Sequence, residues 1–194
     1  MLDGLSKSPH IFLESIMIYL PKRAVFIHIP RTGGNSISSA FGCSCVGRGI
    51  DIVIGTTPAF LSGWQRVSRH LPAARLKKYI DEWDDIFKFA IYRPEEERMD
   101  SIRRLLDRDR KNGIAESKLC GHRWKKVLEG DTEKYIETCS KHDWDWYTKG
   151  HGKWKHDLGV HKYNFHELEQ KWPEICEKCQ IPYIELPHLN KGSV

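Results

Sequence analysis

The sequence predicts an α/β fold in one domain, with a mainly parallel sheet covered by helices on both faces. Short apolar runs rich in β-branched and aromatic residues alternate along the chain with longer amphipathic segments, which is typical of strands that alternate with helices. The 194 residues contain no internal repeat, low-complexity tract or linker, so we assign residues 1–194 to a single domain. The composition, 40% apolar and 29% charged, is ordinary for a globular protein.

The first half of the chain predicts three apolar strands and two helices. In order, they cover residues 24–29 (strand), 34–41 (helix), 50–54 (strand), 72–80 (helix) and 86–92 (strand). Pro30 ends the first strand, and Pro72 is tolerated in the first turn of its helix. The strand over residues 86–92, with the sequence Ile-Phe-Lys-Phe-Ala-Ile-Tyr, has the clearest pattern.

The second half begins with a helix over residues 94–109, in which three glutamates complement the positive end of the helix dipole. The apolar stripe of this helix consists of Met99, Ile102 and Leu106, and Asn112-Gly113 ends it. The remaining predicted elements are helices and loops over residues 114–149, a strand over 159–163, a helix over 165–180 and a last strand over 183–186.

The net charge and the apolar N-terminal stretch argue against a nucleic-acid-binding protein, a membrane-spanning protein and a secreted protein. The net charge of +5 favours anionic ligands but is too small to indicate nucleic-acid binding. The apolar stretch over residues 11–20 is interrupted by Glu14 and Ser15, and a membrane span needs ~20 apolar residues. It also lacks the basic start of a signal peptide. We therefore expect a cytoplasmic protein with reduced thiols and no membrane span.

Cys176 and Cys179 form a C-x-x-C pair without the second pair of ligands that a zinc site needs.

The segment that follows the first strand has the composition of a phosphate-binding loop. It reads Phe-Ile-His-Ile-Pro-Arg-Thr-Gly-Gly-Asn-Ser-Ile from residue 26 to residue 37. A strand, a Gly-Gly turn at Gly33 and Gly34, and a helix N-terminus together direct backbone N–H groups at one point. Arg31 adds a forked charged donor, and Ser36 adds a hydroxyl. The loop lacks the G-x-x-x-x-G-K-[S/T] pattern, so a nucleoside triphosphatase is disfavoured.

A second candidate phosphate site follows the clearest strand. Arg93 lies at the carboxyl end of that strand, where open α/β sheets bind ligands. Ser101 lies eight residues further along the next helix, three residues after Arg98. Arg93 and Ser101 could hold one phosphate, or Arg93 could pair with a nearby glutamate and leave no site.

Together these two segments resemble the 3′-phosphoadenosine 5′-phosphosulfate (PAPS)-dependent sulfotransferases, in particular the carbohydrate sulfotransferases and their bacterial relatives. Residues 30–36 are similar to the 5′-phosphosulfate loop P-K-T-G-G-T-S of that family. Arg93, Arg98 and Ser101 match the offsets of its 3′-phosphate motif, R-N-P-x-x-R-x-x-S. Residues 186–191, Leu-Pro-His-Leu-Asn-Lys, resemble a closing segment of the family. The sequence departs from the family in having Arg31 for Lys, Asn35 for Thr, and a proline one position early after Arg93.

The resemblance implies a P-loop-like sulfotransferase fold, a three-layer sandwich around the sheet, and transfer of a sulfuryl group from PAPS to an acceptor hydroxyl. It implies that a saccharide or another small molecule is the acceptor, that the product is 3′-phosphoadenosine 5′-phosphate, and that no metal is required. Arg31 and the backbone N–H groups of residues 32–36 would stabilise the leaving oxygen, while Arg93 and Ser101 would hold the 3′-phosphate. His70, which precedes a predicted helix, is the expected base. The cofactor-binding residues are then Arg31, Thr32, Gly33, Gly34, Asn35, Ser36, Arg93 and Ser101.

Three other functions stay open on the sequence alone. A nucleotide-dependent phosphotransferase would need a magnesium-binding carboxylate and a Walker-type loop. A non-catalytic module could retain the nucleotide pocket without transfer activity. A thiol or zinc protein could be built on Cys176 and Cys179. The acceptor is also open, because Arg66, Arg69, Arg103 and Arg104 could attract an acidic saccharide or could form a solvated face.

Overall fold

A computed structural model of the protein describes residues 18–45, 53–54, 70–116, 122–130, 132–150 and 156–187. Its strands are β1 (Ile18–Leu20), β2 (Ala24–Phe26), β3 (Val53–Ile54), β4 (Phe87–Tyr92) and β5 (Val160–Asn164). They form one open sheet in the order β3-β1-β2-β4-β5. The pairs β2–β4 and β4–β5 are parallel, whereas β1 is antiparallel to both β2 and β3. Four of the five strands therefore run in one direction, and the predicted α/β fold with a mainly parallel sheet is confirmed.

The helices agree with most of the predicted elements, with shifted ends. They are α1 (Gly34–Cys45), α2 (Ala73–Leu76), α3 (Glu95–Lys111), α4 (His122–Glu129), α5 (Thr132–Lys141), α6 (Trp144–Thr148) and α7 (Leu168–Lys178), with 3-10 turns at Ile114–Glu116 and Phe165–Glu167. The helix expected over residues 72–80 is a single turn, α2, followed by tight turns up to residue 86.

Apolar side chains alternate across the sheet and build a core on each face. Phe26 and Phe89 face α1 and α7, where they meet Phe41 and Trp172. Val25, Ile27 and Ala90 face the opposite side and pack with residues of α2, of the turns that follow it and of α6. The sheet is thus the middle of three layers, as the sequence predicts.

A separate apolar cluster holds the helices α3, α4 and α5 together. The predicted stripe of α3, Met99, Ile102 and Leu106, packs against Leu128 and Cys139. Beside it, the buried guanidinium of Arg98 donates to the backbone carbonyls of Cys139 (2.8 Å) and His142 (3.1 Å). The helical segment after residue 111 is therefore attached to α3, the helix that directly follows the central strand β4.

Two predictions about strands at the ends of the described chain need correction. No strand is predicted at Ile18–Leu20, yet β1 forms there because a tight turn at residues 21–23 brings it antiparallel to β2. Conversely, the strand expected over residues 183–186 is irregular. Ile184 inserts into the core between α1 and α7, and its carbonyl accepts a hydrogen bond from Nε1 of Trp172 (2.8 Å). The apolar character of this run thus reflects core packing without strand pairing.

Cys176 and Cys179 both pack inside the apolar core beside α1. Burial raises the pKa of the Cys176 thiol, which makes it a poorer metal ligand and nucleophile. In the part of the chain that the structure describes, no group of three or more His, Cys, Asp and Glu residues is arranged to hold a metal ion. The pair therefore behaves as small core residues.

Candidate functional site

A cavity of about 740 Å³ lies at the carboxyl ends of the parallel strands. The loop after β2 lines it, as do the residues directly after β4 and β5 and part of α3. Of the nine residues that the sequence predicts for the site, eight line this one cavity: Arg31, Gly33, Gly34, Asn35, Ser36, His70, Arg93 and Ser101. The two candidate phosphate segments, about sixty positions apart in the sequence, thus share a single site.

The loop from residue 30 to residue 34 has an unusual backbone. Arg31 has a φ of 68° and Gly33 a φ of 85°, and the left-handed region is uncommon for a residue with a side chain. Thr32, the ninth predicted residue, is buried beneath the loop, and its Oγ1 donates to the carbonyl of Ile29 (2.9 Å). Thr32 therefore holds the loop in shape and does not line the cavity. The first turn of α1 begins directly afterwards, and the N–H of Ser36 donates to the carbonyl of Gly33 (3.0 Å). A helix N-terminus carries partial positive charge and is a common site for anions.

The two glycines are needed for packing within the site. A methyl group added at Gly34 would overlap the imidazole of buried His28, and one added at Gly33 would lie 3.1 Å from the ring of Phe165. The loop therefore packs between two side chains, His28, which lies two residues after the end of β2, and Phe165, which directly follows β5. At both positions the absence of a side chain lets the loop backbone lie close to side chains of the protein itself.

Arg31 extends from the loop toward α3. Its Nε donates to Oγ of Ser101 (3.1 Å), and its carbonyl accepts a bond from Nη1 of Arg93 (3.4 Å). Burial lowers the pKa of the Arg31 guanidinium, and the positive charges of Arg108 and Arg93 lower that pKa further. Within the described residues Arg31 has no ion pair with a carboxylate. The guanidinium groups of Arg31 and Arg93 therefore place two positive charges in the cavity that Ser101 also lines, and the charge of Arg31 is not neutralised by a carboxylate of the described residues.

Arg93 is held from two sides. Its guanidinium lies 4.4 Å from the ring centroid of Phe165, a cation–π arrangement. Its Nε also donates to Glu97 (3.3 Å), the pairing with a nearby glutamate that the sequence left open. Glu97 contacts Nε2 of His166 as well (2.9 Å), and the hydrogen bonds from His166 and Arg93 hold the pKa of Glu97 below its usual value.

His70 has a defined orientation at the edge of the cavity. Its Nδ1 lies 2.9 Å from the backbone carbonyl of His28. Because a carbonyl oxygen can only accept, Nδ1 carries the proton, and in the neutral ring Nε2 keeps the lone pair. The two imidazoles also meet edge-on with centroids 4.6 Å apart.

Arg98 does not belong to this site, although it matches the family motif. It is only 3% exposed, and its bonds to Glu95, Cys139 and His142 direct it away from the cavity. The spacing of three residues predicts that Arg98 and Ser101 share a helix face, but these bonds keep the Arg98 side chain out of the cavity that Ser101 lines. Of the basic residues considered for the acceptor, Arg103 and Arg104 are exposed on α3, while Arg66 and Arg69 lie outside the described residues.

Several lining residues were not predicted. They are His28, Leu105, Tyr135, Phe165, His166, Leu168, Glu169, Gln170, Leu186 and Pro187. Phe165 and His166 directly follow a parallel strand, so the rule that locates Arg93 could also have located them. Tyr135 comes from α5 and has no comparable signal. Only the first two residues of the family-like segment 186–191 are described, and both line the cavity.

Comparison with known proteins adds no relative. No protein-family model, no curated protein and no solved structure matches the chain. In the described ranges, no helix is long and apolar enough to cross a membrane.

Proposed function

We propose that this protein transfers a sulfuryl group from PAPS to a hydroxyl group of an acceptor, with a carbohydrate as the acceptor class that the sequence resemblance favours. The proposal rests on one observation above all. The loop that resembles a 5′-phosphosulfate site and the segment that resembles a 3′-phosphate site line the same cavity.

The residues of the cavity fit such a nucleotide in size and chemistry. A volume of about 740 Å³ is within the range of small-molecule and cofactor pockets, about 300–1,000 Å³. One wall has the first turn of α1 together with Arg31 and Arg93, which are donors suited to phosphate oxygens. Leu105, Tyr135 and Phe165 supply apolar surface for a nucleoside.

Each part of the site then has a chemical task. When bound, PAPS supplies a sulfuryl group whose bond to a 5′-phosphate oxygen breaks as a bond to the acceptor oxygen forms. The first turn of α1, with the partial positive charge of a helix N-terminus, would stabilise that leaving oxygen, on which negative charge would grow. Ser36, in the same turn and on the cavity wall, adds a hydroxyl donor.

His70 is the proposed general base. With Nδ1–H donated to the carbonyl of His28, Nε2 carries the lone pair of the neutral ring and is the atom that would take the proton of the acceptor hydroxyl. The same hydrogen bond restricts the rotation of the ring, so the lone pair keeps one direction. His70→Ala should therefore reduce transfer while leaving the affinity for nucleotide unchanged.

The direct test is calorimetric titration of the protein with 3′-phosphoadenosine 5′-phosphate and, for comparison, adenosine 5′-phosphate. We expect wild type to prefer the ligand that carries the 3′-phosphate. Arg93→Ala should weaken this ligand by about 10- to 100-fold, the usual loss for a charge-assisted contact. Binding without a preference for the 3′-phosphate, or no binding, would refute the proposal.

A transfer assay separates the enzyme from a non-catalytic module. Incubation with PAPS carrying a labelled sulfuryl group, together with a panel of saccharides, should label an acceptor in wild type and fail in His70→Ala. Tight nucleotide binding with no transfer to any acceptor, alcohols included, would favour the module.

A further inference from the structure

We infer that Arg31 is a specificity-determining residue that binds the 3′-phosphate together with Arg93 and Ser101. The family resemblance implies instead that Arg31 acts on the 5′-phosphosulfate. This inference rests on the proposed function, since it assigns a role within that nucleotide site. It concerns a position at which the sequence departs from the family, with arginine in place of lysine.

The direction of the side chain is the first argument. The nitrogen Nε of Arg31 donates to Oγ of Ser101 at 3.1 Å, and Ser101 lies on α3. The backbone N–H groups of residues 34–36 instead belong to the start of α1. The left-handed backbone at Arg31, with a φ of 68°, is thus associated with a side chain that crosses from the loop to the neighbouring helix.

The second argument is the coupling of Arg31 to Arg93. Nη1 of Arg93 donates to the backbone carbonyl of Arg31 at 3.4 Å, so the Arg93 guanidinium lies against the loop that carries Arg31. Glu97 neutralises part of the charge of Arg93, but within the described residues no carboxylate pairs with Arg31. A phosphate monoester, with close to two negative charges and three acceptor oxygens, complements two arginines and a hydroxyl.

Different kinds of group would therefore bind the two ends of the nucleotide in the cavity. Two arginines would hold the 3′-phosphate, and Glu97 partly neutralises one of them, Arg93. Neutral dipoles, namely the N-terminus of α1 and the hydroxyl of Ser36, would hold the transferring end. Arginine suits the first task better than lysine, because its planar fork can donate to Ser101 and to a phosphate oxygen at the same time.

The test uses two isomeric ligands, adenosine 3′-phosphate and adenosine 5′-phosphate, which differ only in the position of the phosphate. Calorimetry would give the affinity of each, and of 3′-phosphoadenosine 5′-phosphate, for wild type and Arg31→Ala. We expect Arg31→Ala to weaken both ligands with a 3′-phosphate by about 10- to 100-fold. Binding of adenosine 5′-phosphate should weaken by less than about 3-fold, the size of a screened long-range charge effect.

Two variants keep the test decisive. Arg31→Lys retains the charge and the fold, and it should still lose about 10-fold in affinity for the 3′-phosphate, because the fork is missing. Arg103→Ala removes an arginine from the exposed face of α3, where it pairs with Asp100, and should change neither affinity. In the double variant Arg31→Ala/Ser101→Ala, the losses should be smaller than the product of the single losses, because both residues serve one phosphate.

The outcomes distinguish the inference from the function on which it rests. If wild type shows no preference for a 3′-phosphate, the proposed function itself fails. If wild type shows the preference but Arg31→Ala weakens adenosine 5′-phosphate as much as adenosine 3′-phosphate, the function stands and the role of Arg31 is overturned.

Discussion

At the scale of single residues, Gly34 shows how tightly the site is built into the core. The imidazole of His28 occupies the space that a side chain at position 34 would need. His28 cannot move freely, because it is buried beside Phe26 and His70 and its carbonyl orients His70. We expect Gly34→Ala to lower the free energy of unfolding by about 1–3 kcal/mol, the usual cost of overpacking. Urea unfolding monitored by circular dichroism would measure it.

Gly130 provides the matched control. A methyl group there would meet no atom within 4 Å, and position 130 directly follows α4. Gly130→Ala should leave stability unchanged or slightly higher. Equal stability of Gly34→Ala and wild type would show that the His28 ring is not fixed against the loop.

The residue scale also shows where sequence reasoning succeeds and where it stops. The strand–loop–helix pattern was sufficient to predict Arg31, Gly33, Gly34 and Ser36 as neighbours, because they are close in sequence. It could not show that Thr32 turns inward to Ile29, since a hydroxyl has the same sequence signal in either orientation. Nor could it show that Phe165 lies beneath Arg93, because this contact depends on the register of β4 and β5.

At the scale of elements, Arg98 links α3 to the helices that follow it. Its guanidinium is buried and bonds to Glu95 and to two backbone carbonyls at the end of α5 and before α6. Arg98→Ala would leave those buried acceptors without their donor. We expect a loss of about 2–4 kcal/mol in the free energy of unfolding, measured by urea denaturation.

Arg103→Ala is the control for this link. Arg103 also pairs with an acidic residue three positions earlier, Asp100 at 2.8 Å, but both side chains are more than half exposed. Exposed pairs of this kind contribute about 0–1 kcal/mol. If the two variants were equally stable, the buried bonds of Arg98 would not be what attaches α5 and α6 to α3.

The same comparison shows what a match in sequence offsets leaves undetermined. Arg98 and Ser101 occupy the offsets that the family motif requires, yet one faces α5 and the other faces the cavity. Sequence offsets give positions along a helix, but the packing partners of α3 decide which of them faces ligand. The missed strand β1 has a similar cause, since three residues are too short for a periodic signal.

At the scale of the whole molecule, the sequence predicts the three layers and the direction of most strands, because apolar runs and intervening helices are both visible in it. The site follows from this architecture. The three parallel strands β2, β4 and β5 all end at one edge, and each is followed by residues that line the cavity, with Arg31, Arg93 and Phe165 among them. The packing of α3, α4 and α5 could not be predicted from the sequence, because no strand order determines where these helices lie. The position of Tyr135 in the cavity wall depends on that packing.

The free energy of unfolding of the whole molecule should decrease at acidic pH, because several carboxylates have lowered pKa values. Hydrogen bonds and neighbouring cations lower the pKa of five carboxylates, namely Glu82, Asp84, Glu97, Glu137 and Glu174. A depressed pKa in the folded state means that the unfolded chain binds more protons in the interval between the two pKa values. Stability from these groups is therefore complete above the unfolded pKa and is lost as the pH falls toward the folded one.

Glu174 is the group with which to measure this effect, because Lys178, Tyr163 and Lys171 lower its pKa to about 2. An unperturbed glutamate has a pKa of about 4.3, so its contribution should disappear between about pH 4.3 and pH 2. Within that interval, the stability of Glu174→Gln should depend less steeply on pH than that of wild type. Glu177→Gln, on the same helix at a residue with no ion pair in the described ranges, should follow wild type. Parallel curves for all three proteins in low salt would mean that the contacts of Glu174 do not persist in solution. A shallower curve for Glu174→Gln alone would show that its contacts with Lys178, Tyr163 and Lys171 stabilise the ionised carboxylate in the folded protein.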